Sequence, residues 1–438
     1  MRRLIVFTRY PVAGQSKTRM IPLLGPPGAS RLQVAMTGHT VLNARVACDQ
    51  LGAALEVRFA GGTLRRLRRW LGAGTPYQPQ GRGDLGGCMF RAFLDSHNAG
   101  ATATVLIGTD CPALTPDILA QAYAALARSD VVLGPAADGG YYLIGMREPH
   151  AALFEGMTWG TETVLRDTLS RAERSGLTVN WLPPLSDVDR PEDLPVWDHF
   201  GPPAPGRGKE RISVIVPVLN EEQHLEATLA RTRNAHEVLM VDGGSTDASC
   251  TIARDSGARL LVTFPGRHRQ MNAGALAASG EILVFLHADT ILPEGWEDEV
   301  RLLLGRHATA MGAFSLRLAR ATPGCRIVAA GATLRSRLLG LPYGDQALFM
   351  TAARFREMGG YADLPIMEDF DLVRRMRSRG VVRTSTLGAE SSARRWERLG
   401  MLRTTCINQC ILVGYCLGVS PFALKTLYTR ETGDRLRP

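Results

Sequence analysis

The chain has 438 residues and eight cysteines, but no C-x-x-C pair and no histidine at zinc-finger spacing, which excludes a disulfide scaffold and a zinc ribbon. No apolar run reaches the roughly 18 residues of a membrane-crossing helix. The nearest, Cys410 to Leu424, is broken by Gly414, Gly418 and Pro421. The basic start runs into only Leu4–Phe7, too short for a signal-peptide core, so it reads as a first strand and the expected location is cytoplasmic. The G-x-x-x-x-G-K-[ST] spacing of a P-loop is missing. Aromatic residues are 6% of the chain, and no nucleic-acid-binding motif accompanies its net charge of +9, so nucleic acid is not the expected partner. Lysine is scarce as well, only Lys17, Lys209 and Lys425. The positive charge is therefore almost all arginine, which suits phosphate and carboxylate recognition but follows equally from an Arg-rich genome.

What is present suggests two domains of ordinary size. Residues 1–200 carry 20 basic and 18 acidic side chains, and residues 201–438 carry 31 and 24, so the excess lies in the second half. Phe200 to Ser213, dense in Pro and Gly and then charged, reads as a linker, giving domains 1–199 and 212–438 around 200–211. Each half opens on a β-branched or aliphatic strand, Leu4–Phe7 and Ile212–Val216, and later brings an apolar strand to an aspartate, Asp110 and Asp289. Helical patterns fill the intervals, at about 29–50 and 116–128, then 222–235, 247–256 and 270–278. Strands buried on both faces and alternating with helices predict parallel α/β sheets, whose ligands bind beyond the carboxyl ends of the strands.

Five segments of the second half occur in a telling order. They are Pro217 with Asn220-Glu221-Glu222, then Val241-Asp242-Gly243-Gly244-Ser245-Thr246-Asp247, then Arg269 to Gly280, then His287-Ala288-Asp289, and last Met367-Glu368-Asp369. Together they resemble the family 2 glycosyltransferases of the GT-A fold, over residues 212–400. With Tyr343-Gly344-Asp345-Gln346 they most resemble the subgroup linked to arsenosugar biosynthesis and selenodomains. The resemblance implies a nucleotide-diphosphate sugar donor, an acceptor hydroxyl and an inverting transfer assisted by Mg²⁺ or Mn²⁺. It assigns the general base to Glu368 and Asp369, with Asp369 favoured, and the metal to Asp289. Donor contacts fall to Pro217, Asn220, Glu221, Asp242, Arg269, Asp345, Gln346, Arg394 and Arg395. The pattern departs where the first Asp of D-x-D is His287, where the second Asp of V-D-D-G-S is Gly243, and where only part of the processive Q-x-x-R-W signature remains. A non-processive enzyme is expected.

The first half pairs a Pro/Gly loop bearing Lys17 and Arg19 with Gly108-Thr109-Asp110, Asp138-Gly139-Gly140 and Asp189-Arg190-Pro191-Glu192-Asp193-Leu194. This set resembles the "transferase 1" domains related to molybdenum-cofactor guanylyltransferases, so both halves together read as two tandem GT-A, Rossmann-like domains. The resemblance puts a metal at Asp110 and Asp189, and a triphosphate at Lys17 and Arg19. The family's G-x-G-x-R loop is replaced by Tyr10 to Gly14. The first domain therefore reads either as a maker of the activated donor or as another nucleotide- or sugar-handling partner. The acceptor is a small molecule or a lipid. The apolar segment 399–427 either packs on its domain or touches a membrane surface peripherally.

Overall fold

A computed structural model describes residues 1–200, 210–319 and 322–432, without the side chain of Arg395. The chain folds as two compact units that part near residue 203. The expected linker at 200–211 lies mostly outside the described residues.

The first unit contains β1 (Arg2–Arg9), β2 (Ala54–Ala60), β3 (Tyr77–Pro79), β4 (Ala103–Ile107), β5 (Val131–Pro135), β6 (Tyr141–Met146) and β7 (Val179–Trp181), ordered β3-β2-β1-β4-β6-β5-β7. The second contains β8 (Ile212–Val218), β9 (Glu237–Asp242), β10 (Arg259–Val262), β11 (Ile282–Phe285), β12 (Thr290–Ile291), β13 (Thr309–Leu318), β14 (Leu348–Thr351) and β15 (Val381–Ser391), ordered β10-β9-β8-β11-β14-β13-β15-β12. The two orders are one plan, with β12 added at the far edge of the second sheet. In each, four parallel strands are followed by a reversed strand, β6 or β14, antiparallel to both neighbours. The sheets are therefore mixed rather than wholly parallel. Apolar runs specify burial on both faces but not strand direction, so the reversal left no signature in the hydrophobic pattern.

The central strands are the apolar runs that open each half. Leu4, Ile5 and Val6 are fully buried, as are Val214, Ile215 and Val216. Each such side chain contributes about 1.5–3 kcal/mol on burial. In the first unit Ile5, Phe7, Leu106 and Ile144 pack on Phe93 and Phe154. In the second, Val214, Met240 and Val284 pack with Leu225, Trp296 and Phe349. The helix expected near 29–50 runs Ile21–Leu51, broken at Gly25 before Pro26 and Pro27. The other predicted helices appear as Pro116–Leu126, Glu222–Ala230, Ser249–Asp255 and Arg267–Ala277. On the last, a Cβ at Gly274 would lie 2.5 Å from Ile215, so only glycine lets this helix lie so close to the sheet.

Candidate active site

In the second unit two loops at the carboxyl ends of β8 and β9 are latched together. Asn220 adopts φ 56°, its N–H donates to Ser245 Oγ at 2.9 Å, and its Oδ1 accepts from Thr246 N at 2.8 Å. The N–H of Glu221 donates to Ser249 Oγ at 3.0 Å. Asp242 is buried, and its carboxylate accepts from Gly244 N and Ser245 N at 2.9–3.1 Å. Asn220 and Asp242 thus shape the expected donor loop. Pro217 is paired within the sheet opposite Val241, and Arg269 is partly buried, with Nη1 3.5 Å from the carbonyl of Pro265.

The H-A-D segment leaves the end of β11. Because β11 pairs antiparallel with β14, with Phe285 opposite Leu348, the residues just after β11 face those just before β14. The turn Tyr343–Gln346 therefore lies against His287. Gln346 is fully buried and gives its amide to the Phe314 carbonyl at 2.8 Å, so it holds the turn rather than facing a ligand. Gly344 is the point of closest approach: a Cβ there would lie 2.1 Å from Asp369 Oδ2 and 2.6 Å from His287 Nε2. Asp369 and the H-A-D strand end meet across this glycine. They are more than eighty residues apart in sequence.

Asp369 sits in the first turn of helix Glu368–Arg377, which has acids at its start and Arg374, Arg375 and Arg377 at its end, as the helix dipole favours. Burial, then the negative charges of Glu368 and Asp345, push the Asp369 carboxyl up to about 7, while Arg267 and the Gly344 N–H oppose that shift. Its Oδ1 is buried and meets no hydrogen-bond donor among the described residues. Glu368 is buried 3.5 Å from Arg267. Desolvation would lower the Arg267 guanidinium's pKa, but Glu368, Asp369 and Asp289 outweigh it and raise it. Sequence reasoning missed Arg267 and chose Arg269; the only signal was its place after Gly266 at the start of the helix.

Asp289 is fixed through its backbone, whose carbonyl accepts from Ser392 N at 3.1 Å. That bond brings the next helix, Arg394–Leu399, alongside. The Arg394 guanidinium lies 2.8 Å from Glu221 and 3.4 Å from Asp289. Burial works against its charge and these two carboxylates restore it, so its pKa is raised. Four expected residues, Glu221, Asp289, Arg394 and Asp369, thus line one end of the sheet. Arg395 lies on the same helix, with its side chain outside the described residues. Among the described residues no three His, Cys, Asp or Glu side chains form a preformed metal cage. The donor set still fits a hard cation, since Mg²⁺ is commonly held by one or two carboxylates together with substrate phosphates.

The first unit assembles its expected residues from as far apart in sequence. Lys17 adopts φ 47° and is buried. Its ammonium donates to the Val188 carbonyl at 2.5 Å and lies 2.7 Å from Asp110 and 3.9 Å from Asp189. Arg19 pairs with Asp189 at 2.5 Å. Asp193 accepts from the N–H groups of Asp189 and Arg190 and so fixes this turn. Burial, and then Asp138, raise the Asp187 carboxyl. Asp110 and Asp189, which the resemblance assigns to a metal, both face the buried ammonium of Lys17. The spacing of an acid pair cannot reveal a lysine that folds between them.

Known proteins match the two units separately. Residues 42–161 match DUF2064, described as an uncharacterized protein conserved in bacteria, and residues 213–314 match Glycosyl transferase family 2. The chain thus joins a DUF2064 domain to a family 2 glycosyltransferase domain. An uncharacterized glycosyltransferase of Mycobacterium bovis is 37% identical over 87 residues, 20% of this chain and 40% of that protein. Undecaprenyl-phosphate 4-deoxy-4-formamido-L-arabinose transferase of Aeromonas hydrophila is 36% identical over 93 residues, 18% of this chain and 28% of that one. The chain therefore matches well under half the length of these relatives. A crystal structure from Desulfovibrio desulfuricans G20, provisionally designated a nucleotide-diphospho-sugar transferase, is 30% identical and covers 43% of this chain and 82% of its own, with a TM-score of 0.40.

Proposed function

We propose that this chain, through its family 2 glycosyltransferase domain, moves a sugar from a nucleoside-diphosphate donor to an acceptor hydroxyl with inversion. Asp369 accepts the acceptor's proton as the acceptor oxygen bonds to the anomeric carbon. The bond from that carbon to the diphosphate breaks on the opposite face, and the nucleoside diphosphate leaves with the electron pair. The convergence of Asp369 and His287 across Gly344 carries this reading. A base works best when its pKa lies near the working pH, and Asp369 is raised toward neutrality. Glu368 and Arg267 position it: they lie 3.5 Å apart beside Asp369, where the negative charge of Glu368 raises the base and the guanidinium opposes that shift.

Asp289 is the residue that would hold Mg²⁺ or Mn²⁺, which when bound would offset charge on the departing diphosphate. Arg394, half-exposed, can turn from Asp289 and Glu221 toward the phosphates. The test is thermal stabilisation by UDP, GDP and ADP, each with and without Mn²⁺, followed by the stereochemistry of transfer from the matching sugar nucleotide. Retention of anomeric configuration, or no stabilisation by any of the three, would refute the reading.

For the first unit we propose nucleotide or sugar handling that supplies or supports this transfer. The meeting of Lys17, Arg19, Asp110 and Asp189 at one sheet end favours it. If this unit makes the donor, the full chain should release pyrophosphate from a nucleoside triphosphate and a sugar phosphate. No release across a broad panel would remove that activity. A lipid acceptor is a second reading, favoured by the apolar C-terminal helices and by the lipid-phosphate acceptor in the name of the Aeromonas relative.

A further inference from the structure

Two helices of the second unit leave apolar faces uncovered. On helix Pro323–Leu339, Ile327 is 74% exposed and Leu338 73%, and Leu334 lies between them on the same stripe at helical spacing. On helix Met401–Cys416, Leu402 is 84% exposed, and Cys406, Cys410 and Val413 continue its face to Leu417, 79% exposed just past the helix end. The chain then turns, and helix Pro421–Thr432 adds exposed Phe422 and Leu427. The two regions adjoin, since a Cβ at Gly324 would lie 3.2 Å from Met401 Cε. Scattered exposed leucines need no explanation, but apolar stripes on neighbouring helices do.

The charge along these stretches of sequence is mostly positive. Between Glu299 and Asp345 the sequence contains seven arginines and no acid, and between Glu397 and Glu431 it contains Arg398, Arg403, Lys425 and Arg430 and no acid. A cavity of about 630 Å³ beside helix Pro323–Leu339 is lined by Arg317, Arg326 and Arg337 over Leu316 and Leu318, with Glu390 as its one acid. A soluble protein partner would require acids and apolar groups matched point by point. A surface that is apolar at its centre and mostly cationic around it matches an anionic lipid bilayer without such matching. No described helix is long and apolar enough to cross a membrane, so the contact would be interfacial.

We propose that the exposed faces of helices Pro323–Leu339 and Met401–Cys416, with the turn after the latter, form an interfacial docking surface for an anionic lipid bilayer. The inference rests on the transferase reading only for its purpose: the surface would bring a membrane-borne acceptor to Asp369. The fold supplies a connection. The inner side of the C-terminal hairpin, Ile411, Leu424 and Tyr428, packs on Ile366 and Met367, the residues just before Glu368 and Asp369. Tyr415 of the same hairpin donates to Asp371 Oδ1 at 3.4 Å. Arg335 of the other helix lies 3.8 Å over the ring of Tyr343, beside Gly344. Both helices that bear the stripes therefore touch segments that carry the proposed site.

The test is co-sedimentation of the full chain with phosphatidylcholine vesicles, with and without a quarter of phosphatidylglycerol. Wild type should pellet with the anionic vesicles, at least tenfold less with the neutral ones, and progressively less as salt rises. Leu402→Glu with Leu417→Glu, and separately Ile327→Glu with Leu338→Glu, should each weaken anionic binding at least tenfold. Val262→Glu, at an exposed position on the edge strand β10, should leave binding unchanged. Because a double variant could fail to fold, Leu417→Trp gives a second readout: its fluorescence should shift to the blue and be quenched by brominated acyl chains. Wild type remaining in the supernatant, or an unquenched tryptophan, would overturn the proposal. So would a stable dimer that the glutamates break in the absence of any vesicle binding. No donor or turnover enters these measurements. A chain that ignores vesicles yet is stabilised by a nucleoside diphosphate would refute the docking surface and leave the transfer intact.

Discussion

The two units share a strand order, a strand-end aspartate and a cation set against it, but they treat that cation oppositely. In the first, the Lys17 side chain is 4% exposed and is held by Asp110, Asp189 and the Val188 carbonyl. In the second, Arg394 is 48% exposed and reaches Asp289 and Glu221 from the solvent side. A buried ammonium between carboxylates is part of the structure, since its removal leaves charge uncompensated. A half-exposed guanidinium in high dielectric costs little to displace. Both units also place a raised carboxyl near that sheet end, Asp187 in the first and Asp369 in the second. One plan thus yields a fixed cation site in one unit and an exchangeable one in the other.

The largest expected effect breaks the comparison at the base. Asp369→Asn should lower transfer on the order of 10³-fold while nucleoside diphosphate binding persists, because a general base contributes roughly 10²–10⁴-fold. Asp110→Asn should leave transfer from a preformed donor near wild type. Steady-state rates with donor supplied directly check both, and full activity in the Asp369 variant would remove the base assignment.

Next comes pH. Asp369 acts as a base only when ionised, and its carboxyl is raised to about 7. The value of kcat/KM should therefore climb about tenfold per unit below pH 7 and level off above it. Stability should run the other way. A carboxyl raised in the folded state favours folding below its unfolded pKa, and that contribution is lost as pH rises through 7. Asp369→Asn should thus gain thermal stability relative to wild type at pH 8 and not at pH 4. A flat rate profile would place the base elsewhere.

Much of this was legible in the sequence, for physical reasons. Apolar runs marked the central strands, and the acids that follow strands β4 and β11 marked the ligand end of each sheet. Motif order marked the family. What stayed hidden depends on contacts distant along the chain. The reversal of β6 and β14 is invisible to hydrophobic pattern, and with it the placing of Gly344 against His287. The partners of Lys17 were hidden because nothing in its loop shows Asp110, or Asp189 and the Val188 carbonyl about 170 residues away. The partners of Gln346 and Asp242 were hidden because polar side chains in loops look alike until the fold places them. Helix Pro323–Leu339 went unread because apolar and small residues fall on both its buried and its exposed face, which blurs the helical period.

Lys17→Met sharpens the comparison on the side of stability. It leaves Asp110 and Asp189 facing each other and the Val188 carbonyl without its donor. Breaking a buried pair costs about 3–5 kcal/mol, but Asp110 is half-exposed and water screens part of that loss. A destabilisation of about 2 kcal/mol is expected, read as a lower midpoint in denaturant unfolding. Transfer by the second unit should persist wherever the chain stays folded.

The smallest effect on the fold should come from the counterpart change. Arg394→Met removes a half-exposed cation whose pairs are worth about 0–1 kcal/mol, so the unfolding midpoint should barely move. The consequence should appear in binding. With the guanidinium gone, Asp289 loses a competitor for a metal ion, while the diphosphate loses a cation. Mn²⁺ alone should therefore bind the variant at least as tightly as wild type, and UDP or GDP should bind several-fold more weakly in the presence of Mn²⁺. Calorimetry with the ion and with the nucleotide separates the two. A variant that loses both would mean that Arg394 organises the site rather than waiting in it, and the contrast with Lys17 would disappear.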